Sequence, residues 1–95
     1  MKTRAALYAG APWQPWGAHL AANSSYDRAT ARFARVEARY GHILGEREPM
    51  VTRRRAGRGR AQIWSIGVGM PSRLAAFKLC AKLRQTGGAC LVRRN

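Results

Sequence analysis

A chain of 95 residues is one domain, able to bury only about 60 to 65% of its unfolded surface, so a single covalent staple would matter to it. Hydrophobic residues make up 46%, enough for a core, and no apolar run approaches the roughly 18 residues of a membrane-spanning helix. Eighteen Lys and Arg face only Asp27, Glu37, Glu46 and Glu48, and the net charge of +14 confers solubility and favours a polyanionic partner over an acid-dependent chemistry.

Residues 1 to 15 read as an irregular leader, because Pro12 and Pro15 forbid regular structure and Gly10 loosens what precedes them. The apolar run Ala5 to Ala9 falls short of the core of an export signal. A site of action outside the cytoplasm would therefore require a longer exported protein or a start further upstream. The domain is expected to span residues 16 to 95. Its first segment, "WGAHLAA", predicts a strand with Ala18, Leu20 and Ala22 on one face and His19 and Ala21 on the other. In "SSYDRATARFARVEARYG", Ser24 and Asp27 have capping-box spacing, and Ala29, Phe33, Val36 and Tyr40 recur at helical steps, which predicts an amphipathic helix ending at Gly41. Arg28, Arg32, Arg35 and Arg39 form a basic stripe on an adjacent face, the ordinary wet side of such a helix.

"GHILGEREP" reads as a connection and "MVTRR" as a short edge strand whose arginines discourage unwanted pairing. "RRRAGRGR" looks like a basic hairpin tip. "QIWSIGV" is the clearest strand, with Trp64, Ile66 and Val68 on one face and Ile63, Ser65 and Gly67 on the other. Ser72 can cap a second helix that turns Ala76, Leu79, Cys80 and Leu83 to one side and stops at Gly87. "ACLVRR" closes the chain as a strand with Cys90 and Val92 facing opposite to Leu91 and Arg93. The order strand, helix, strand, strand, helix, strand predicts an α+β fold of the βαββαβ ferredoxin/RNP-like split type: a four-stranded antiparallel sheet with both helices on one face and the other face open.

Cys80 and Cys90 flank the Gly87–Gly88 turn. Their spacing allows either a disulfide, whose short loop would contribute about 2 to 3 kcal/mol, or two reduced thiols acting as small apolar residues. Two Cys and two His without paired ligand spacing do not assemble a zinc site. A Cys–His nucleophile pair lacks an orienting group, and Glu46 and Glu48 in a connection cannot provide the opposed carboxylates of a glycosidase. Neither catalysis nor a metal nor another cofactor is expected.

The stretch "IWSIGVGMPSRLAAFKLCAKLRQTGGACLVRRN" resembles the SPOR (sporulation-related) domain, a peptidoglycan-binding module, in its strand, its "SRLAA" helix start, its "LCAKL" helix and its "GGACLV" last strand. "PWGAHLAANSSYDRATARFARVEARYGHILG" looks like that family's opening strand and first helix. The likeness covers residues 16 to 95 and is similar to the C-terminal SPOR domain of alphaproteobacterial lytic transglycosylases, whose pattern includes both cysteines. It implies the same βαββαβ fold, a Cys80–Cys90 disulfide, and denuded glycan strands, stripped of stem peptides, laid on the open sheet face. Carried over position by position, the implied glycan-binding residues are His19, Ile63, Ser65 and Leu91. Against the family pattern, His19 stands where glutamine is usual, Ser65 where an arginine is usual and Gly67 where a second arginine is common. Cationic contacts to the muramic acid carboxylate then fall to the rim, to Arg93 and an arginine of the second strand, Arg53 foremost, with the facing of Arg53, Arg54 and Arg55 left open by the pattern.

The expected role is therefore non-catalytic binding of peptidoglycan by a monomer, in the periplasm or cell envelope if the chain is exported, with no membrane span. A basic RNA- or single-stranded-DNA-binding module of the same architecture and the remnant of a longer cell-wall hydrolase are the alternatives.

Overall fold

A computed structural model describes residues 13–45, 47–55 and 62–95. The elements are β1 (Trp16–Asn23), α1 (Tyr26–Leu44), β2 (Pro49–Arg55), β3 (Gln62–Met70), α2 (Arg73–Gln85) and β4 (Leu91–Arg94). They form one antiparallel sheet in the order β2-β3-β1-β4, the expected split βαββαβ arrangement. Most of the anticipated basic hairpin tip, residues 56–61, lies outside the described residues, as does the first part of the leader.

The helix-side face of the sheet carries Ala18, Ile66, Val68 and Met70, which share a single core with Ala29, Phe33, Tyr40 and Leu44 of α1 and Ala76, Leu79, Cys80 and Leu83 of α2. Phe33, Ile66, Leu83 and Val68 are among the largest fully buried side chains, each contributing about 1.5 to 3 kcal/mol through removal from water. Alanine is a poor strand former, yet in β1 it is favoured by position: the small buried Ala18 and Ala21 let the helix layer lie close over a central strand.

Local caps set the helix ends. Asn23 Oδ1 accepts from Ser25 N at 2.9 Å, and Ser25 Oγ accepts from Arg28 N at 3.2 Å, so Ser25, rather than Ser24, caps α1. The helix breaks at Tyr40 (φ −118°, ψ 20°), beside the expected stop at Gly41, and a further turn runs on to Leu44 and closes at Gly45, whose φ of +68° suits glycine and whose N–H donates to Gly41 O at 2.8 Å. Burial of Leu44 in the core rewards that extra turn, which the connection expected over residues 41–49 did not foresee. Ser72 caps α2 by accepting from Ala75 N at 3.1 Å. Gly87, with φ +93°, ends the helix, while Gly88 N donates to Leu83 O at 2.8 Å. Beyond this turn a Cys80–Cys90 disulfide joins α2 to the start of β4, with Cα atoms 5.2 Å apart. No helix among the described residues is long and apolar enough to cross a membrane.

Strand β1 departs from simple alternation. Its register with β3 slips between His19, opposite Gly67, and Ala21, opposite Ile66, leaving Leu20 without a partner in β3. This bulge adds one residue and local twist, so Ala21 turns into the core and Ala22, opposite Ser65, turns to the other face. The expected pairing of Ala22 with Ala18 and Leu20, and of Ala21 with His19, is thereby reversed beyond the bulge.

Candidate functional site

The face turned away from the helices is not bare. Residues directly opposite in an antiparallel ladder share a face, so His19, Ala22, Met50, Thr52, Arg54, Ile63, Ser65, Gly67, Leu91 and Arg93 stand together there. Arg53 does not. It is opposite Trp64 on the helix side, its guanidinium carbon 5.0 Å from the indole centroid, and Tyr26 meets the same indole edge-on at 4.9 Å. The groove position expected for Arg53 is taken by Arg54, opposite Ile63.

One end of this face is plugged by a compact polar cluster. Met50 is 3% exposed although it lies outside the main core. Asn95 fastens the plug: its N–H donates to Pro15 O at 2.8 Å, and Nδ2 donates to Gln14 O at 2.8 Å and lies 3.6 Å from Met50 Sδ. Gln14 and Pro15, assigned by sequence to the leader, are thus tied to the sheet. With Nδ2 committed to a carbonyl, Asn95 presents Oδ1 to His19, and His19 Nε2 donates to it at 2.9 Å. The other ring nitrogen is then the acceptor, and Ser65 Oγ donates to His19 Nδ1 at 2.6 Å.

His19 and Ser65 are only 7% and 4% exposed. Burial holds the imidazole pKa below its ordinary value; the hydrogen bond with Asn95 opposes this shift, and the charge of Arg54 adds to it. The neutral ring is the form that this network stabilises. Glycines make room for it: a Cβ on Gly17 would fall 2.8 Å from His19 Nε2, and one on Gly67 would fall 2.0 Å from the carbonyl oxygen of Ala18. Side chains larger than hydrogen are therefore excluded from position 67.

Beyond the plug the face opens into a cavity of about 440 Å³. His19 and Ser65 contribute to its floor, Ile63 and Leu91 supply apolar wall, and Arg54 and Arg93 flank it, with Arg32 of α1 reaching it from the helix layer. Leu91 is 50% exposed. An adjoining cavity of about 500 Å³ includes Thr52, Arg53, Arg54, Arg93, Asn95 and the exposed indole of Trp13. Five of the six residues expected to bind glycan, namely His19, Ile63, Ser65, Leu91 and Arg93, line the first cavity, whereas Arg53 lines only the adjoining one. His19 and Ser65 spend their mutual hydrogen bond on each other. A ligand above them meets the remaining acceptor capacity of Ser65, apolar surface and guanidinium groups.

Several contributors had little or no signal in the sequence. Both Met50 and Val51 are apolar, so the phase of β2, and with it the choice between Arg53 and Arg54, rests on cross-strand register. Arg32 looked like one member of a solvated stripe. Asn95 and Gln14 lie at opposite ends of the described chain and meet only through the fold. No group of three or more His, Cys, Asp or Glu suited to a metal occurs among the described residues. Comparison of the chain with family models, with curated proteins and with solved structures yielded no match in any of the three.

Proposed function

We propose that the chain is a non-catalytic peptidoglycan-binding module that takes denuded glycan strands on the part of the sheet face left free by the Gln14–Met50–Asn95 plug. The observation that carries this reading is the cavity that joins Ile63 and Leu91 to Arg54 and Arg93 on the face opposite the helices. Sugar rings present apolar patches and hydroxyls, which suit a shallow, partly apolar trough with few fixed polar groups. A strand stripped of its stem peptides keeps one lactyl carboxylate per muramic acid, and guanidinium groups at the rim answer it with charge-assisted hydrogen bonds. The resemblance of residues 16–95 to the SPOR pattern supports the same ligand, and the disulfide is compatible with an oxidising compartment such as the periplasm.

Sedimentation with purified sacculi, before and after amidase removal of stem peptides, tests the proposal. Preferential retention on stripped sacculi is expected; equal retention on both would remove the denuded-glycan assignment. Single-stranded RNA is the competing polyanion. Modules of this architecture stack bases on aromatics of the sheet strands, whereas Trp64 of β3 faces Tyr26 on the helix side and the exposed Trp13 precedes β1. Tight RNA binding at about 0.15 M salt with a steep logarithmic salt dependence would overturn the glycan reading.

A further inference from the structure

The two edges of β1 are unequally covered. Toward β3 its pairs run from Trp16 to Asn23, whereas β4 pairs only with Trp16 to His19. From Leu20 onward the edge turned away from β3 has no strand beside it among the described residues. The chain ahead of β4 is held elsewhere: Cys90 is bonded to Cys80 of α2, its carbonyl accepts from Arg84 Nη2 at 2.7 Å, and Gly88 N is engaged by Leu83 O. Backbone groups on such an uncovered edge are available to a ligand.

The cavity opens at this gap, since Leu20, Ala21 and Ala22 line it together with residues of the sheet face. Three guanidinium-bearing side chains from three elements reach it, Arg32 of α1, Arg54 of β2 and Arg93 of β4, and no carboxylate is among its lining residues. At the other end of the same face, Gln14, Met50 and Asn95 close the path. An elongated ligand on this face is therefore blocked at one end and has an open, cationic exit at the other.

We infer that the glycan strand leaves the sheet over the uncovered half of the β1 edge, where Arg32 joins Arg54 and Arg93 in holding a sugar carboxylate. The inference rests on the glycan reading and adds to it a direction and a residue from the helix layer. Arg32 is exposed and belongs to no core contact, so Arg32→Gln keeps the fold, which a thermal melt verifies.

Titration calorimetry of wild type and Arg32→Gln, each with the N-acetylglucosamine–N-acetylmuramic acid disaccharide and with the same sugar reduced at the carboxyl to an alcohol, tests it. Wild type should prefer the acid by about tenfold, the scale of one charge-assisted contact, and Arg32→Gln should lose most of that preference while binding the alcohol unchanged. If wild type binds both sugars equally, or Arg32→Gln retains the full preference, the inference fails and the sheet-face reading stands. If inorganic phosphate displaces the acid sugar as effectively as the free acid does, the notch is a general anion site and the inference also fails. Absence of binding by either sugar would remove both.

Discussion

Replacing Gly67 by alanine probes the central geometry of the sheet. The added methyl carbon would lie 2.0 Å from the carbonyl oxygen of Ala18 and 2.8 Å from both Ala18 C and His19 Cα. These are backbone atoms of the paired strand, so no rotamer change relieves the contact. Restoring an ordinary separation of about 3.3 Å requires β1 and β3 to part by more than about 1 Å at the centre of the sheet, beside the bulge and under the His19–Ser65 hydrogen bond. Overpacking of rigid sites costs about 1 to 3 kcal/mol and occasionally more, and the backbone nature of this clash puts Gly67→Ala at about 3 kcal/mol. For a domain whose total stability is on the order of 5 to 14 kcal/mol, that lowers Tm by roughly 12 to 24 °C. Urea and thermal denaturation followed by circular dichroism measure it. Gly41, in α1, has no atom beyond its chain neighbours and the adjoining helix backbone within 4 Å of its would-be Cβ, and Gly41→Ala should instead stabilise by about 0.5 to 1 kcal/mol. A Gly67→Ala variant within about 0.5 kcal/mol of wild type would refute the close approach of the two strands.

Reduction of the Cys80–Cys90 bond, or the double replacement by serine, should lower unfolding stability by about 2 to 3 kcal/mol, measured as a shift of the urea midpoint with and without reductant. Because the pKa of His19 is lower folded than unfolded, the unfolded chain binds the extra proton; this contribution is complete above the unfolded value of about 6.5 and declines as pH falls below it toward the folded value. Imidazole NMR should show His19 titrating below the ordinary imidazole value of 6.5, and denaturation at successive pH values should show stability that depends on His19 falling in that window; a folded-state pKa above 6.5 for His19 would contradict the neutral, doubly hydrogen-bonded ring. Arg54→Gln should weaken binding to stripped sacculi about tenfold with little effect on stability, whereas Arg53→Gln should leave binding within about twofold and cost about 0.5 to 1 kcal/mol from its lost contact with Trp64.

The fold was legible in the sequence wherever periodicity had a single interpretation. Ala29, Phe33, Val36 and Tyr40 in α1, and Trp64, Ile66 and Val68 in β3, all pack toward the one core as their spacing required. The helix ends were less legible because two competing signals adjoined each other: Ser24 and Ser25 both suit an N-cap, and Gly41 reads as a stop although it adopts no positive φ and Leu44 beyond it finds a buried site. In β1, period-two reasoning failed at Leu20, since a bulge arises from the fit of two strands and leaves no compositional mark in a run of alanines.

The site was legible in outline only. His19, Ile63, Ser65, Leu91 and Arg93 were brought together as expected, but an open sheet face was expected where a plug closes one end of the trough. That plug depends on Gln14 and Asn95, which lie 81 positions apart, and no local pattern encodes such a contact. The same geometry leaves no space for a side chain at Gly67 and engages Ser65 with the His19 imidazole.

Amide chemical-shift mapping with soluble, amidase-stripped glycan oligomers addresses ligand and surface together. Binding on the helix-free face predicts that Ala22, Ile63, Leu91 and Arg93 shift in concert at saturation while the exposed side of α2, around Leu74 and Phe77, stays silent. Shifts confined to α2, or none at ligand concentrations that saturate an established wall-binding module, would contradict it.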